Sequence, residues 1–155
     1  MRTCSDVHNY LQEQGVAHEM VHLPRPTTTA ARAAELLGVP VTEIVKSLVF
    51  LVDGAPTLVL VPGDASVDTG ALAAAHGARR AALASGEDVL QATGYRVGAV
   101  PPCGLASDLP IVADPGAFSP PVIYCGGGAT ATMLKIRSAD LRRLLAPRLV
   151  EVAVR

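Results

Sequence analysis

Lys46 lies inside Ile44-Val45-Lys46-Ser47-Leu48-Val49-Phe50-Leu51-Val52, the most apolar run of the chain, and is one of two lysines against eleven arginines. Where arginine supplies nearly all the positive charge, a lysine among apolar neighbours places a compact ammonium whose pKa responds to its surroundings. Burying it is costly unless carboxylate, carbonyl or substrate oxygens surround it. The run alone also admits a plainer reading, a solvent-facing charge on an edge strand that blocks aggregation. Taken by itself, the run leaves both readings open.

The remaining reactive residue types are scattered. Cys4, Cys103 and Cys125 are odd in number, widely spaced and without a C-x-x-C, which argues against a disulfide framework and against a zinc site. Reduced thiols are expected. Cys103 is a candidate nucleophile because of the loop it occupies, but no histidine is near it in sequence. His8, His18, His22 and His76 show no metal-ligand spacing, so neither a metal nor another cofactor is expected. Gly126-Gly127-Gly128 reads either as a phosphate cradle or as a flexible strand connection. Asp114, before Pro115, reads as an Asx-turn residue.

Helical and strand signals alternate along the chain with no linker, repeat or low-complexity block, which predicts one α+β domain over residues 1–155. Ser5 is placed to cap a first helix and Gly15 to end it. An extended segment follows over Ala17 to His22. Beyond Pro24 and Pro26, Thr27 or Thr28 caps a short helix that runs through Leu37 and stops at Gly38. Two strands, Val45 to Val52 and Thr57 to Val61, flank Asp53-Gly54, a dipeptide suited to the positive φ angles of a tight hairpin. Asp68 starts a helix ending near His76-Gly77, Arg80 to Leu83 forms a short strand, and Ser85 opens another helix. From Gly94 to Pro110 the glycines and prolines make a long structured loop, a common seat of function. Strands are expected at Ile111 to Ala113, Val122 to Cys125 and Thr132 to Ile136. Ser138 then caps a last helix, and Leu149 to Val154 closes as a strand.

Composition sets the outer limits. At 155 residues the chain suits a single domain, and 50% hydrophobic residues with 3% aromatics and no Trp imply an aliphatic core. A net charge of −1 provides no global positive field for DNA or other long nucleic acid, so any nucleic-acid contact must be local. Arg79-Arg80 and the group Arg142, Arg143 and Arg148 read as solvated faces. The N-terminal residues lack a signal peptide's apolar stretch, and no run approaches the ~20 apolar residues of a membrane span. A cytoplasmic protein with no membrane contact is expected.

Three motifs stand in order along the chain: Ile44-Val45-Lys46-Ser47-Leu48-Val49-Phe50; Ala92-Thr93-Gly94-Tyr95 leading into Gly98-Ala99-Val100-Pro101-Pro102-Cys103-Gly104; and Tyr124-Cys125-Gly126-Gly127-Gly128 followed by Ala139-Asp140-Leu141. Together they resemble the YbaK/ProX-type aminoacyl-tRNA editing domains, the family that includes the editing insertion of bacterial prolyl-tRNA synthetases. The match runs from about Glu19 to the C-terminus. It implies a mixed, twisted β-sheet partly closed into a barrel and packed with helices. It also implies a trans-acting deacylase of mischarged tRNA, with a small amino acid such as Cys or Ala on tRNA for proline as substrate.

By the same resemblance Lys46 lines the pocket for the aminoacyl ester, and Met20, His22, Ser47, Gly98, Pro102, Cys125, Gly126 and Gly127 bind the substrate. The partners implied are the acceptor end of aminoacyl-tRNA and a prolyl-tRNA synthetase. Ser47 and Cys125 stand where alanine-removing members carry Asn and His, and Met20 where cysteine-removing members tend to carry an aromatic residue. These departures leave the amino acid unassigned. Two other function classes stand beside the deacylase: a non-catalytic module that binds an aminoacyl group or a tRNA end, and a hydrolase that depends on Cys103.

Overall fold

The computed structural model describes all 155 residues. Five helices form: α1 (Cys4–Glu13), α2 (Ala30–Leu37), α3 (Thr69–Ala75), α4 (Gly86–Thr93) and α5 (Ser138–Leu145). Ten strands accompany them: β1 (Glu19–His22), β2 (Ile44–Val52), β3 (Ala55–Pro62), β4 (Ser66–Val67), β5 (Ala81–Leu83), β6 (Ile111–Ala113), β7 (Val122–Ala129), β8 (Thr132–Arg137), β9 (Arg148–Leu149) and β10 (Ala153–Val154). The main sheet runs β1-β8-β7-β2-β3-β6-β9, with β5 added onto β2, while β4 and β10 pair separately. It is mixed: β2 runs parallel to β7, and β6 parallel to both β3 and β9. The path is open at both ends, and no strand pairing closes it into the partial barrel that the resemblance implies.

Period-2 alternation explains why β2 and β3 read as unbroken apolar runs. Val45, Val49, Leu58 and Leu60 face a core shared with Tyr95, Val100, Ile123, Leu134 and Leu141. Phe50, Val52, Val59 and Val61 face a second core with Leu72, Val112 and Val152. Strands covered on both faces need apolar residues at every position, not at alternate ones. The hairpin between them turns through Asp53 (φ 47°) and Gly54 (φ 83°), as the sequence predicts.

Several boundaries differ from the sequence expectation for local reasons. Thr3, not Ser5, caps α1, its N–H donating to the Asp6 carboxylate at 2.7 Å. The cap of α2 is Thr29, whose hydroxyl accepts from the Arg32 N–H. For α5 the capping position is Arg137, and Ser138 is the first helical residue. β7 extends to Ala129, pairing with β8 across a bulge between Gly126 and Ala129 where Gly128 adopts φ 93°.

The single closing strand expected over Leu149 to Val154 is instead two pieces, β9 and β10. Asp114 causes the break: one carboxylate oxygen accepts from the N–H of Val152 at 3.0 Å and of Ala153 at 2.9 Å. Its other oxygen accepts from the Gly116 N–H at 2.9 Å, the Asx turn read from the sequence.

The segment from Gly94 to Pro110 is a long loop without helix or strand. A buried strut shapes it: the Tyr95 hydroxyl donates to the Gly104 carbonyl at 2.7 Å. Burial pushes the Tyr95 phenol up to about 12, so it keeps its proton as a donor. The Arg2 guanidinium donates to the same carbonyl at 3.3 Å, and the Thr93 hydroxyl accepts from the Tyr95 N–H at 3.1 Å. Gly126 lets this loop lie against β7, because a β-carbon there would overlap the Val100 carbonyl oxygen.

Asp114→Ala is expected to lower stability by about 1–3 kcal/mol, since it leaves two inward N–H groups without an acceptor. Denaturant unfolding checks this, and Asp114→Asn, which retains one accepting oxygen, should recover part of the loss. An unchanged unfolding midpoint for Asp114→Ala would show that this carboxylate does not hold the C-terminal strap.

Candidate functional site: a gap beside the central strand

β2 is central, yet its pairing is incomplete. β3 accompanies it along its whole length from Val45 to Val52. On the other side β7 pairs only with Ile44 and Val45, and β5 only with Phe50, Leu51 and Val52. Lys46 to Val49 therefore have no strand partner there. The alternation of the backbone is fixed by two bonds, Gly63 N–H to Ile44 carbonyl on the β3 side and Ala84 N–H to Val49 carbonyl on the other. Odd-numbered residues of β2 thus turn their backbone groups away from β3, and those of Ser47 face the gap.

A cavity of about 210 Å³ opens at this gap. Ile44 to Leu48 form one wall, Thr27 to Ala30 and Ala33 at the start of α2 a second, and Val97, Gly98 and Val100 of the long loop a third, with Gly126 and Met133 completing it. The edge-strand reading of Lys46 fails because β2 lies inside the sheet. Lys46 is partly buried and forms no ion pair; the Asp64 carboxylate is held by Arg155 Nε at 3.0 Å. Burial lowers the Lys46 pKa below the usual lysine value, and the negative charge of Asp64 opposes the shift. The Ser47 hydroxyl is buried and has no hydrogen-bond partner.

The loop wall carries free donors as well. Ala99 N–H closes a turn onto the Arg96 carbonyl at 3.0 Å, whereas the N–H groups of Gly98 and Val100 donate to no protein acceptor. The turn requires φ 87° at Gly98, which glycine adopts without strain. A β-carbon at Gly98 would stand 3.6 Å from the Thr28 side chain, on the opposite wall.

Of the residues named from sequence, the fold brings Lys46, Ser47, Gly98 and Gly126 together around this cavity. The other five lie elsewhere. Met20 packs against the main core. His22 is exposed on β1, its Nδ1 bonded to the Thr132 hydroxyl at 3.1 Å. Cys125 is fully buried, and burial pushes its thiol far up. Gly127 is small because a β-carbon there would meet the Thr132 carbonyl oxygen at 2.6 Å. These contacts explain why Gly126 and Gly127 carry no side chain.

Pro102 and Cys103 line a separate cavity of about 240 Å³ that shares no residue with the first. Burial holds the Cys103 thiol up at about 12, so it carries no appreciable thiolate at neutral pH and is a poor nucleophile. Sequence reasoning missed Thr27 to Ala30, Val97, Val100 and Met133 as wall residues. The threonines were legible as a helix cap, but nothing local said that the cap faces β2.

The family model described as the aminoacyl-tRNA editing domain matches residues 24–144. The proline–tRNA ligase of Thermosipho melanesiensis is 37% identical over 98 residues, covering 63% of this chain and 17% of the ligase. That of Citrifermentans bemidjiense is 31% identical over 127 residues, covering 79% of this chain and 22% of the ligase. The chain thus spans about a fifth of the length of these relatives. The solved structure of a candidate trans-editing enzyme for prolyl tRNA synthetase superposes with a TM-score of 0.91 at 29% identity, covering 100% of this chain and 99% of that one.

The Lys46 ammonium is expected to titrate below 10.5 in an NMR titration of labelled lysine. Replacing Asp64 by Asn should lower it further, because Asp64 favours the charged form. A rise in the Asp64→Asn protein would show that the field at Lys46 has been misassigned.

Proposed function

Because the chain belongs to the aminoacyl-tRNA editing domain family, we propose that it is a trans-acting deacylase, which hydrolyses the ester joining a wrongly attached small amino acid to the 3′ end of tRNA for proline. The observation that carries this reading is the meeting of the unpaired Lys46 ammonium with the free Gly98 and Val100 N–H groups around one cavity of about 210 Å³. The ester bond is already unstable to water, so catalysis consists of placing water and stabilising developing negative charge.

In this reading a water oxygen attacks the ester carbonyl carbon, and the bond from that carbon to the ribose oxygen breaks. The proton released by the water passes to the ribose oxygen, giving free amino acid and uncharged tRNA. Free N–H groups on the loop wall supply donors for the carbonyl oxygen as it gains charge, and Lys46 holds the reacting end of the substrate. No protein nucleophile takes part. The small cavity admits a small amino acid and excludes larger ones, with about 1–3 kcal/mol of discrimination per methylene.

With a net charge of −1 the chain has no field for long nucleic acid, so contact is confined to the acceptor end. A prolyl-tRNA synthetase is a fitting partner, in the cytoplasm where the charged tRNA is made. The relatives that carry this domain inside a proline–tRNA ligase support that pairing.

Deacylation of mischarged tRNA for proline tests the assignment. Lys46→Ala should fold and lose most turnover, on the order of a hundredfold or more given the usual size of such electrostatic contributions. Lys46→Arg should also fail, because a planar fork does not replace a compact ammonium. Gly98→Val should reduce turnover more than stability, since it restricts the turn and projects into the cavity. Near wild-type turnover by folded Lys46→Ala protein would sink the site, and tight binding of the charged tRNA without hydrolysis would make the domain a binding module.

A separate expectation concerns cofactors and thiols. Turnover should survive EDTA and the combined replacement of Cys4, Cys103 and Cys125 by Ala or Ser. Loss on chelation with recovery on added zinc, or loss in the cysteine-free protein, would return the chemistry to a metal or a thiol.

A further inference from the structure

Several of the polar groups open around the cavity belong to the main chain. Ser47 lines the cavity and keeps accessible surface although its hydroxyl has almost none, so what it exposes is its backbone and β-carbon. Its N–H and carbonyl point away from β3 into the gap, where no strand stands opposite them and no loop or turn bond reaches them. The neighbouring strand leaves a matching group. Val45 pairs with Cys125 in the parallel ladder of β2 and β7, and one further rung would join the Ser47 N–H to the Gly126 carbonyl. The ladder stops at Val45, so that carbonyl is left without its β2 partner. Gly126 lines the cavity and is half-buried, and a glycine has only main chain to expose.

These open groups divide by the charge they suit. The Lys46 ammonium and the Gly98 and Val100 N–H groups are donors, which suit the oxygens of an ester. An α-ammonium gains nothing from them, and beside Lys46 it meets a like charge. It needs acceptors. No carboxylate lines the cavity, which leaves main-chain carbonyls to accept from a cation, and those of Ser47 and Gly126 are the two that the interrupted ladder leaves open.

On the deacylase reading given above, on which this rests, we infer that the main-chain carbonyls of Ser47 and Gly126 bind the α-ammonium of the aminoacyl ester, so that the domain acts on esters with a free α-amino group and rejects α-hydroxyacyl and N-acylated, peptidyl-type esters. Substrate N–H donors then occupy the place of the missing strand. Recognition through the main chain addresses a group that every amino acid carries. It sets the class of ester and leaves the choice among side chains to the walls.

The test compares kcat/KM for alanyl, lactyl and N-acetylalanyl esters on one tRNA for proline, each divided by the rate of its uncatalysed hydrolysis, because an ammonium also activates the ester by itself. Lactyl matches alanyl in size and carries a hydroxyl in place of the ammonium. The normalised value should fall roughly tenfold or more from alanyl to lactyl, the size expected of a charge-assisted hydrogen bond, and at least as far for N-acetylalanyl. Equal normalised values for alanyl and lactyl esters would overturn the inference.

Placement is read by NMR with two non-hydrolysable amide analogues, 3′-alanyl and 3′-lactyl aminoadenosine. At saturation the alanyl compound should move the carbonyl carbon resonances of Ser47 and Gly126 further than the lactyl compound does. A preference for alanyl esters with neither resonance moved would seat the α-ammonium elsewhere and also overturn the inference. Absence of turnover on every ester would instead refute the deacylase reading. Calorimetry with the same two analogues then decides the inference: tighter binding of the alanyl compound, with both resonances moved, supports it, and equal binding or none refutes it.

Discussion

Backbone N–H and carbonyl groups in a covered strand need partners, and around Ser47 strand β2 has them on one side only. The sheet is held together around that gap by β3, which pairs β2 throughout, and by β5 and β7, which grip its two ends. Such a gap persists only if surrounding packing over-determines it. Cores on both faces of β2 and β3 supply that packing, through Val45, Val49, Leu58 and Leu60 on one face and Phe50, Val52, Val59 and Val61 on the other. The cavity is therefore a consequence of how the sheet is assembled, not a depression on its surface.

The long loop that closes the gap is held by different contacts. Tyr95 reaches across it to Gly104, the Thr93 hydroxyl fixes the helix exit, and Gly126 allows the loop to approach β7 too closely for any side chain. The Gly98 and Val100 donors are thereby held beside β2 without a lid or a ligand to order them. Preorganised donors of this kind contribute most to a reaction that mainly develops charge.

Lys46 and Ser47 are neighbours in sequence but sit in different electrical settings. Partial burial lowers the lysine pKa while Asp64 restrains the shift, and Asp64 is itself engaged by Arg155, so no carboxylate quenches the ammonium. Ser47 carries no charge to shift; its hydroxyl is simply left without a partner. One strand segment thus offers a free charge near the solvent and a free dipole inside.

Local chemistry made much of this legible in the sequence. The Asp53-Gly54 hairpin, the Gly38 helix stop and the irregular loop from Gly94 follow from φ preferences and capping, which act over a few residues. Lys46 stood out because a lysine in an unbroken apolar run contradicts the burial around it. The family motifs likewise marked the loop and β7.

What the sequence could not contain was pairing between distant segments. Whether β2 lies at an edge or in the centre depends on β5 and β7, roughly 35 and 80 residues away, and the run reads the same either way. Met20, His22, Pro102, Cys125 and Gly127 were placed at the site by motif order, yet side-chain alternation and loop path turn them into cores, a second cavity or the surface. The threonines of α2 entered the wall only through tertiary packing. Residue type and spacing decided which elements form; the long-range register decided which of their side chains share a cavity, because one step along a strand reverses the face a residue presents.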